Sequence, residues 1–115
     1  MKKAVPVILD TDIGSDIDDS WALVMLLNSP ELDLKLITTA TFNTEHRTAI
    51  TAKLLQAAGR TDIPIGTGIK TLDQPIQVSP WIKGFNMKKY KGKVYADGVD
   101  AMIKMIMKSK EKITL

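Results

Sequence analysis

Leu9-Asp-Thr-Asp-Ile-Gly-Ser-Asp-Ile-Asp-Asp19 is the stretch on which the reading of the whole chain turns. It is preceded by Val5-Pro-Val-Ile-Leu9 and followed by Ser20-Trp-Ala-Leu-Val-Met-Leu-Leu27. A β-branched apolar run that ends abruptly in acid reads as a buried parallel strand whose C-terminal end opens into a functional loop. Pro6 sits near the start of that run, where a strand tolerates it. The segment after the acids has helical composition; Asp18 or Asp19 is expected to cap it, and Asn28-Ser-Pro30 to stop it.

Outward from this β-loop-α unit the pattern repeats. Leu34–Ala40 reads as a second strand, and Thr44–Ala58 as a second helix that Gly59 ends, with Ala49, Ile50, Ala52, Leu54, Leu55 and Ala58 as its apolar positions. Ile63-Pro-Ile-Gly66 is a short third strand. Strands alternating with helices predict an α/β fold with an open, doubly wound, mostly parallel, Rossmann-like sheet, as one α/β domain over residues 1–115. Within it, residues 69–96 lose all periodicity and read as a long loop, either functional or mobile. Val99–Met107 returns to helix, with Met102, Ile103, Ile106 and Met107 as its apolar stripe, where methionines at such spacing are core filler. Lys112-Ile-Thr-Leu115 opens a fourth strand at the end of the chain, which suggests a fragment of a longer protein with an unfinished sheet. Apolar surface beside Ile113 and Leu115 is then expected to draw the chain into a homo-oligomer.

Composition narrows the function. The 115 residues are 44% hydrophobic and 25% charged, the balance of a soluble globular domain. There is no cysteine, so disulfides, thiolate metal sites and thiol nucleophiles are excluded, and any metal is held by oxygen or by His46. Met1-Lys2-Lys3 leads into too short an apolar stretch for a signal peptide, and no apolar run nears the ~20 residues of a membrane span. The chain therefore reads as cytoplasmic, with no membrane partner. Residues 1–79 carry seven Lys/Arg against ten Asp/Glu, whereas 80–115 carry nine Lys against three acids. Those lysines lie in the long loop and on one helix face with only two tyrosines beside them, which reads as a solvated face and not a nucleic-acid surface.

Asp10, Asp12, Asp16, Asp18 and Asp19 place five carboxylates in ten residues at the strand edge where open α/β sheets bind ligands. Such mutual repulsion calls for a hard cation or for hydrogen-bond donors, and oxygen-only ligands suit Ca²⁺ or Mg²⁺. Helix capping accounts for Asp18 and Asp19 but not for Asp10 and Asp12. An EF-hand loop starting at Asp10 fails, because Ser15 and Trp21 stand where Gly and Glu are required. The Asp-x-Asp pattern of haloacid-dehalogenase-like phosphatases fits Asp10 as a nucleophile in a Mg²⁺-dependent enzyme, but it leaves the Asp18-Asp19 pair unexplained.

The whole run Leu9–Leu23 resembles the N-terminal signature of the inosine–uridine-preferring nucleoside hydrolase family. The resemblance continues through Thr38-Thr-Ala-Thr-Phe-Asn43, Lys53-Leu-Leu-Gln-Ala-Ala-Gly-Arg60, Ile63-Pro-Ile-Gly-Thr-Gly68 and Ala96-Asp-Gly-Val-Asp-Ala-Met-Ile103, and is weakest over 70–95. It implies the N-terminal part of the nucleoside hydrolase fold, cytoplasmic purine and pyrimidine salvage, and Ca²⁺-dependent hydrolysis of the N-glycosidic bond of ribonucleosides. By that resemblance Asp12 is a Ca²⁺ ligand that also takes the proton of the attacking water, and Asp19 is a second ligand. Asp18 and Asn43 bind ribose hydroxyls, and Asp10 is a supporting carboxylate. Ile13 stands where the shortest form of the motif has Pro, and two extra residues precede the Asp pair, which leaves Asp16 without a role. The family's enzymes are more than twice this long, so the isolated chain is expected to be incomplete or inactive, or else a non-catalytic remnant of the fold.

Other candidates are weaker. A lone His46 at a helix start reads as exposed or capping. Trp81, Phe85, Tyr90 and Tyr95 read as pins for the long loop more readily than as nucleobase stacking partners. Met87 stands where a Walker loop ending at Lys93 would need glycine, and one unplaced His makes no Ser-His-Asp arrangement.

Overall fold

A computed structural model describes residues 3–115; Met1 and Lys2, on which part of the N-terminal reading falls, lie outside the described residues. The elements run β1 (Val5–Thr11), α1 (Asp18–Leu27), β2 (Leu32–Thr39), α2 (Thr44–Ala57), β3 (Ile65–Gly66), β4 (Val94–Tyr95) and α3 (Gly98–Lys108). The strands form one sheet in the order β1-β2-β3-β4, all pairs parallel. Beyond β1, on the edge that β2 does not use, Thr114 makes a single parallel bridge to Val7: Ile8 N donates to the Thr114 carbonyl at 2.9 Å and Thr114 N to that of Pro6 at 3.0 Å. The strand expected over 112–115 is thus represented by this one bridge.

The sheet is covered on both faces. Leu23 of α1 and Ile50, Ala52 and Leu55 of α2 pack with Val7, Leu34, Ile37 and Ile65 on one side. Ala101, Met102 and Met105 of α3 meet Ile8 and Leu36 on the other. This is the doubly wound α/β arrangement that alternation of elements predicts. One detail was not legible in the sequence. Between Val7 and Ile8 the β1–β2 register shifts, so that Val7 pairs with Leu34 but Ile8 with Leu36, and Lys35 is skipped. The shift reverses the parity of β2, sending Leu36 and Thr38 toward α3 and Ile37 and Thr39 toward α2.

α3 sits close on the sheet because two glycines face each other: a Cβ on Gly66 would come within 2.7 Å of the Gly98 Cα. Asp97 caps α3, its side chain accepting from Asp100 N at 3.0 Å. The expected caps of α1 are a different matter. Ile17 is its N-cap residue and makes no side-chain cap bond, while Asp18 and Asp19 occupy the first turn. There they still complement the positive end of the helix, without closing its free N–H groups.

Residues 69–96, read from the sequence as a long functional or mobile loop, carry short elements of their own. They hold two 3₁₀ turns, Ser79–Ile82 and Met87–Lys89, and the edge strand β4. Ile76 and Tyr90 are buried in the same core as α2, with Val78, Ile82, Phe85 and Met87 half-buried against it. The aromatic pins are therefore Phe85 and Tyr90, whose ring centroids lie 6.4 Å apart. Trp81 and Tyr95 are more exposed and lie under Lys53 and Lys93, at 4.6 and 5.1 Å from the ring centroids. No helix among the described residues is long and apolar enough to cross a membrane.

Candidate functional site

The acidic loop leaves β1 at its C-terminal end and returns into α1, so Asp10 lies at the end of the strand, Asp12 in the loop and Asp19 in the first turn of the helix. The alternation of β1 directs Asp10 to the α3 side, where Thr38 Oγ1 donates to Asp10 Oδ1 at 2.6 Å. That bond exists only because the register shift turned Thr38 the same way. Thr11, on the opposite face, is buried; its hydroxyl donates to Asp19 Oδ2 and accepts from Ile13 N at 3.1 Å. One side chain thus ties the end of β1 to the first turn of α1.

The electrostatics single out one pair. Asp12 is held above the ordinary carboxylate pKa, first by a side-chain hydrogen bond with the Asp19 carboxyl, then by desolvation and by the charge of Asp19, with Arg47 acting in the opposite direction. A carboxylate beside a second carboxylate is costly to ionise, and such a pair suits a hard dication as ligands. Asp10, Asp12, Asp16 and Asp18 are all exposed, and Asp19 is half-buried. Among the described residues no group of three or more His, Asp or Glu side chains converges as a metal cage. Within the five-carboxylate run, Asp19 accepts from Thr11 and Asp10 from Thr38, whereas the side chains of Asp16 and Asp18 accept no hydrogen bond among the described residues.

Asn43 stands at the N-terminus of α2, where its side chain accepts from His46 N at 3.3 Å. The capping role expected of residues near this point belongs to Asn43, which leaves its side-chain NH₂ as a donor. His46 is exposed, with Nδ1 3.5 Å from Ser79 Oγ. The turn before Asn43 is unusual: Thr41 and Phe42 have φ of 67° and 56°, consecutive left-handed residues that are not glycine. Such backbone costs of order 1–3 kcal/mol per residue and persists where the surroundings impose it. Here Phe42 N donates to Thr71 Oγ1 at 2.9 Å and Thr71 N to the Phe42 carbonyl at 3.2 Å.

Sequence reasoning passed over Arg47. Its helix reads as amphipathic through its alanines and leucines, yet the buried side of α2 also holds Thr44, Arg47, Thr48 and Thr51. The threonines are bonded: Thr48 Oγ1 to Thr39 Oγ1 and Thr67 Oγ1 at 3.2 and 2.8 Å, and Thr44 Oγ1 to the Gly68 carbonyl at 2.7 Å. Arg47 is fully buried. It donates from Nη1 to the carbonyls of Asp12 and Ile13 and to Ser15 Oγ, and from Nε and Nη2 to the carbonyl and hydroxyl of Thr41. Burial pushes its guanidinium down, while Asp12 and Asp19 oppose that shift. The signal that could have found it is an arginine at a position where helical periodicity demands a core residue.

Asp10 and Thr38 line a cleft of ≈ 320 Å³ that Thr41, Ile69, Val99 and Met102 complete at the C-terminal ends of the strands. A larger groove of ≈ 600 Å³ runs along α3 past Tyr95, Lys104 and Lys108 and contains none of the acidic-loop residues.

Comparison with known proteins bears on this geometry. The family model for inosine-uridine preferring nucleoside hydrolases matches residues 7–115. A probable uridine nucleosidase 2 of Arabidopsis thaliana is 41% identical over 84 residues, covering 68% of this chain and 25% of that protein. The pyrimidine-specific ribonucleoside hydrolase RihA of Photobacterium profundum is 45% identical over 65 residues, 55% of this chain and 20% of the relative. RihA of an Escherichia coli strain is 38% identical over 84 residues, 70% of this chain and 26% of the relative. The chain thus spans about a quarter of the length of the curated relatives it matches.

Proposed function

The chain belongs to the inosine-uridine preferring nucleoside hydrolase family, and on that premise we propose that it contributes the cation-binding and ribose-binding wall of a site that hydrolyses the N-glycosidic bond of ribonucleosides. The observation that carries the proposal is the family match over residues 7–115, which spans the acidic loop; within that loop the Thr11 hydroxyl donates to Asp19 Oδ2 and joins the end of β1 to the first turn of α1. The donor set is oxygen throughout, which suits Ca²⁺, and Asp12 and Asp19 are the residues that would hold it. Two carboxylates are few for an ion that takes six to eight oxygens, so water, substrate hydroxyls and further protein groups complete the shell.

When bound, Ca²⁺ supplies positive charge that makes a neighbouring water easier to deprotonate. Asp12 accepts that proton at its carboxylate as the water oxygen bonds to C1′ of the ribose, while the C1′–N bond breaks and the nucleobase leaves with its electron pair to take up a proton from solvent. Asp18 and the free NH₂ of Asn43 hold ribose hydroxyls, fixing the ring against the attacking water. Asp10, oriented by Thr38, adds negative charge near a sugar that passes through an oxocarbenium-like state. The names of the relatives point to uridine and other pyrimidine ribonucleosides as the first substrates to try. Self-association through exposed apolar side chains such as Ile103, Met107 and Leu115 belongs to the same proposal.

The competing phosphatase reading makes Asp10 the nucleophile. Its Oδ1 is engaged by Thr38, which suits a supporting carboxylate better than an attacking one. The two readings separate in one assay: uridine and inosine with Ca²⁺ against a phosphate monoester with Mg²⁺, for the wild type and Asp10→Asn. Nucleoside cleavage, even slow, with no phosphatase turnover supports the proposal. Phosphate release that Asp10→Asn abolishes overturns it.

A further inference from the structure

Arg47 is a buried cation without a direct carboxylate partner among the described residues; its acceptors are backbone carbonyls and hydroxyls from two separate segments. One segment is the acidic loop, at Asp12, Ile13 and Ser15. The other is the left-handed turn at Thr41, immediately before Asn43. The guanidinium also lies 5.8 Å from the centroid of the Phe42 ring. We infer that Arg47 is the positioning residue of this site, clamping the acidic loop to the Thr41–Phe42 turn so that the Asp12–Asp19 pair and Asn43 stand in fixed relation before any ligand arrives.

Three features support this assignment over that of an ordinary core arginine. First, every acceptor sits within three residues of a proposed site residue, and none lies in the sheet or in another helix. Second, the turn it holds is strained, and a strained turn is kept only where something over-determines it. Third, the geometry needs a fork. The acceptors lie on two sides of one planar group with donors pointing both ways, whereas the ammonium of a lysine is a compact point charge that cannot span both segments. The acidic loop has a further support from the long connection, where Val78 N donates to the Gly14 carbonyl at 2.9 Å, so the amide of Val78 reports on the loop from outside it.

The part of this inference that concerns the cation rests on the calcium reading above, and the test keeps the two apart. Amide hydrogen exchange is measured on the full 115-residue chain for wild type and Arg47→Lys without metal, alongside Ca²⁺ titration of both by calorimetry. Arg47→Lys retains the charge and removes the fork. The expected result is at least tenfold faster exchange at Ile13 and Val78, unchanged exchange at Ile37 in the sheet, and Ca²⁺ affinity lowered about tenfold. Unchanged exchange at Ile13 and Val78, or equal acceleration at Ile37, overturns the inference, the latter by making Arg47 a general stabiliser of the fold. If Arg47→Lys does not fold, Ser15→Ala removes one of the loop acceptors at a half-buried position, with a smaller acceleration at the same two amides expected and its absence overturning the inference. A wild type that binds no Ca²⁺ while Arg47→Lys loosens the loop sinks the calcium reading and leaves Arg47 as the clamp of the loop. A wild type that binds Ca²⁺ as tightly as Arg47→Lys, with identical exchange, does the reverse.

Discussion

The acidic loop over 10–19 and the lysine-bearing connection over 67–97 are two irregular regions of the molecule that are held in opposite ways. The acidic loop carries its charges outward and is tied from beneath by polar bonds, from Arg47 to its carbonyls and from Thr11 to Asp19. The connection carries lysines outward and is tied from beneath by apolar plugs, with Ile76 and Tyr90 buried and Phe85 and Met87 half-buried. They meet at Gly14, where Ile76 and Ile50 lie against the glycine. A polar tether fixes individual groups in direction and suits a site where carboxylates must be aimed. Apolar burial fixes a segment in place without aiming anything, and suits a cover.

Gly14 is where the comparison breaks most readily. Its φ is +111°, and a Cβ there would lie 2.7 Å from Ile50 Cδ1 and 2.9 Å from Ile76 Cγ2. Gly14→Ala combines an unfavourable backbone conformation with overpacking, and is expected to cost about 3 kcal/mol or more in urea unfolding. A loss below about 1 kcal/mol would mean that the two regions do not press on each other. Ile76→Ala comes next. Removing a buried plug should cost about 2–4 kcal/mol, and proteolysis should then cut within 67–97 before it cuts elsewhere. Uniform cleavage would show that the connection is not held by its plugs.

These regions also show what a sequence can disclose. The acidic loop was legible because its chemistry is local: five carboxylates after an apolar run need no partner elsewhere to be noticed. The same holds for β1, α1, β2 and α2, whose periodicity sits within each element. The connection was legible only in part: Phe85 and Tyr90 read as pins, but Ile76 and Met87 are spaced irregularly and acquire meaning only from the core they cover. β4 is two residues long, and such an edge strand is defined by its neighbour β3. Arg47 and the skipped Lys35 were missed for the same reason, since one is explained by acceptors in two distant loops and the other by the pairing of β2 with β1. Thr38 as the partner of Asp10 follows from that register and could not precede it.

A smaller effect sharpens the polar half of the comparison. The folded chain holds the Asp12 proton more tightly than the unfolded chain does, so the stability it contributes is full below the ordinary carboxylate pKa and is lost as pH rises through the raised value. At neutral pH the pair is then a repulsion. Asp12→Asn should raise the Tm of the metal-free chain at pH 7 by a few degrees at most, because the group is largely exposed, and should give no gain near pH 3. A loss at pH 7 would show that Asp12 is stabilised as an ion by Arg47 and not opposed by Asp19.

The smallest effect belongs to the connection. The hydroxyl of Tyr90 is buried with no hydrogen-bond partner among the described residues, and burial pushes its pKa up. Tyr90→Phe removes an unsatisfied group and keeps the ring, so stability should stay within about 1 kcal/mol of wild type or rise. A drop of about 2 kcal/mol or more would mean that the hydroxyl has a partner in solution and that this region is not purely apolar in its attachment.

The central claim is that Asp12 and Asp19 form a cation site, and calorimetric titration of Ca²⁺ into wild type, Asp12→Ala and Asp19→Ala tests it most directly. The account predicts weak but saturable binding by the wild type, since two carboxylates make an incomplete shell, and no measurable binding by either variant. Equal binding by all three proteins would contradict it.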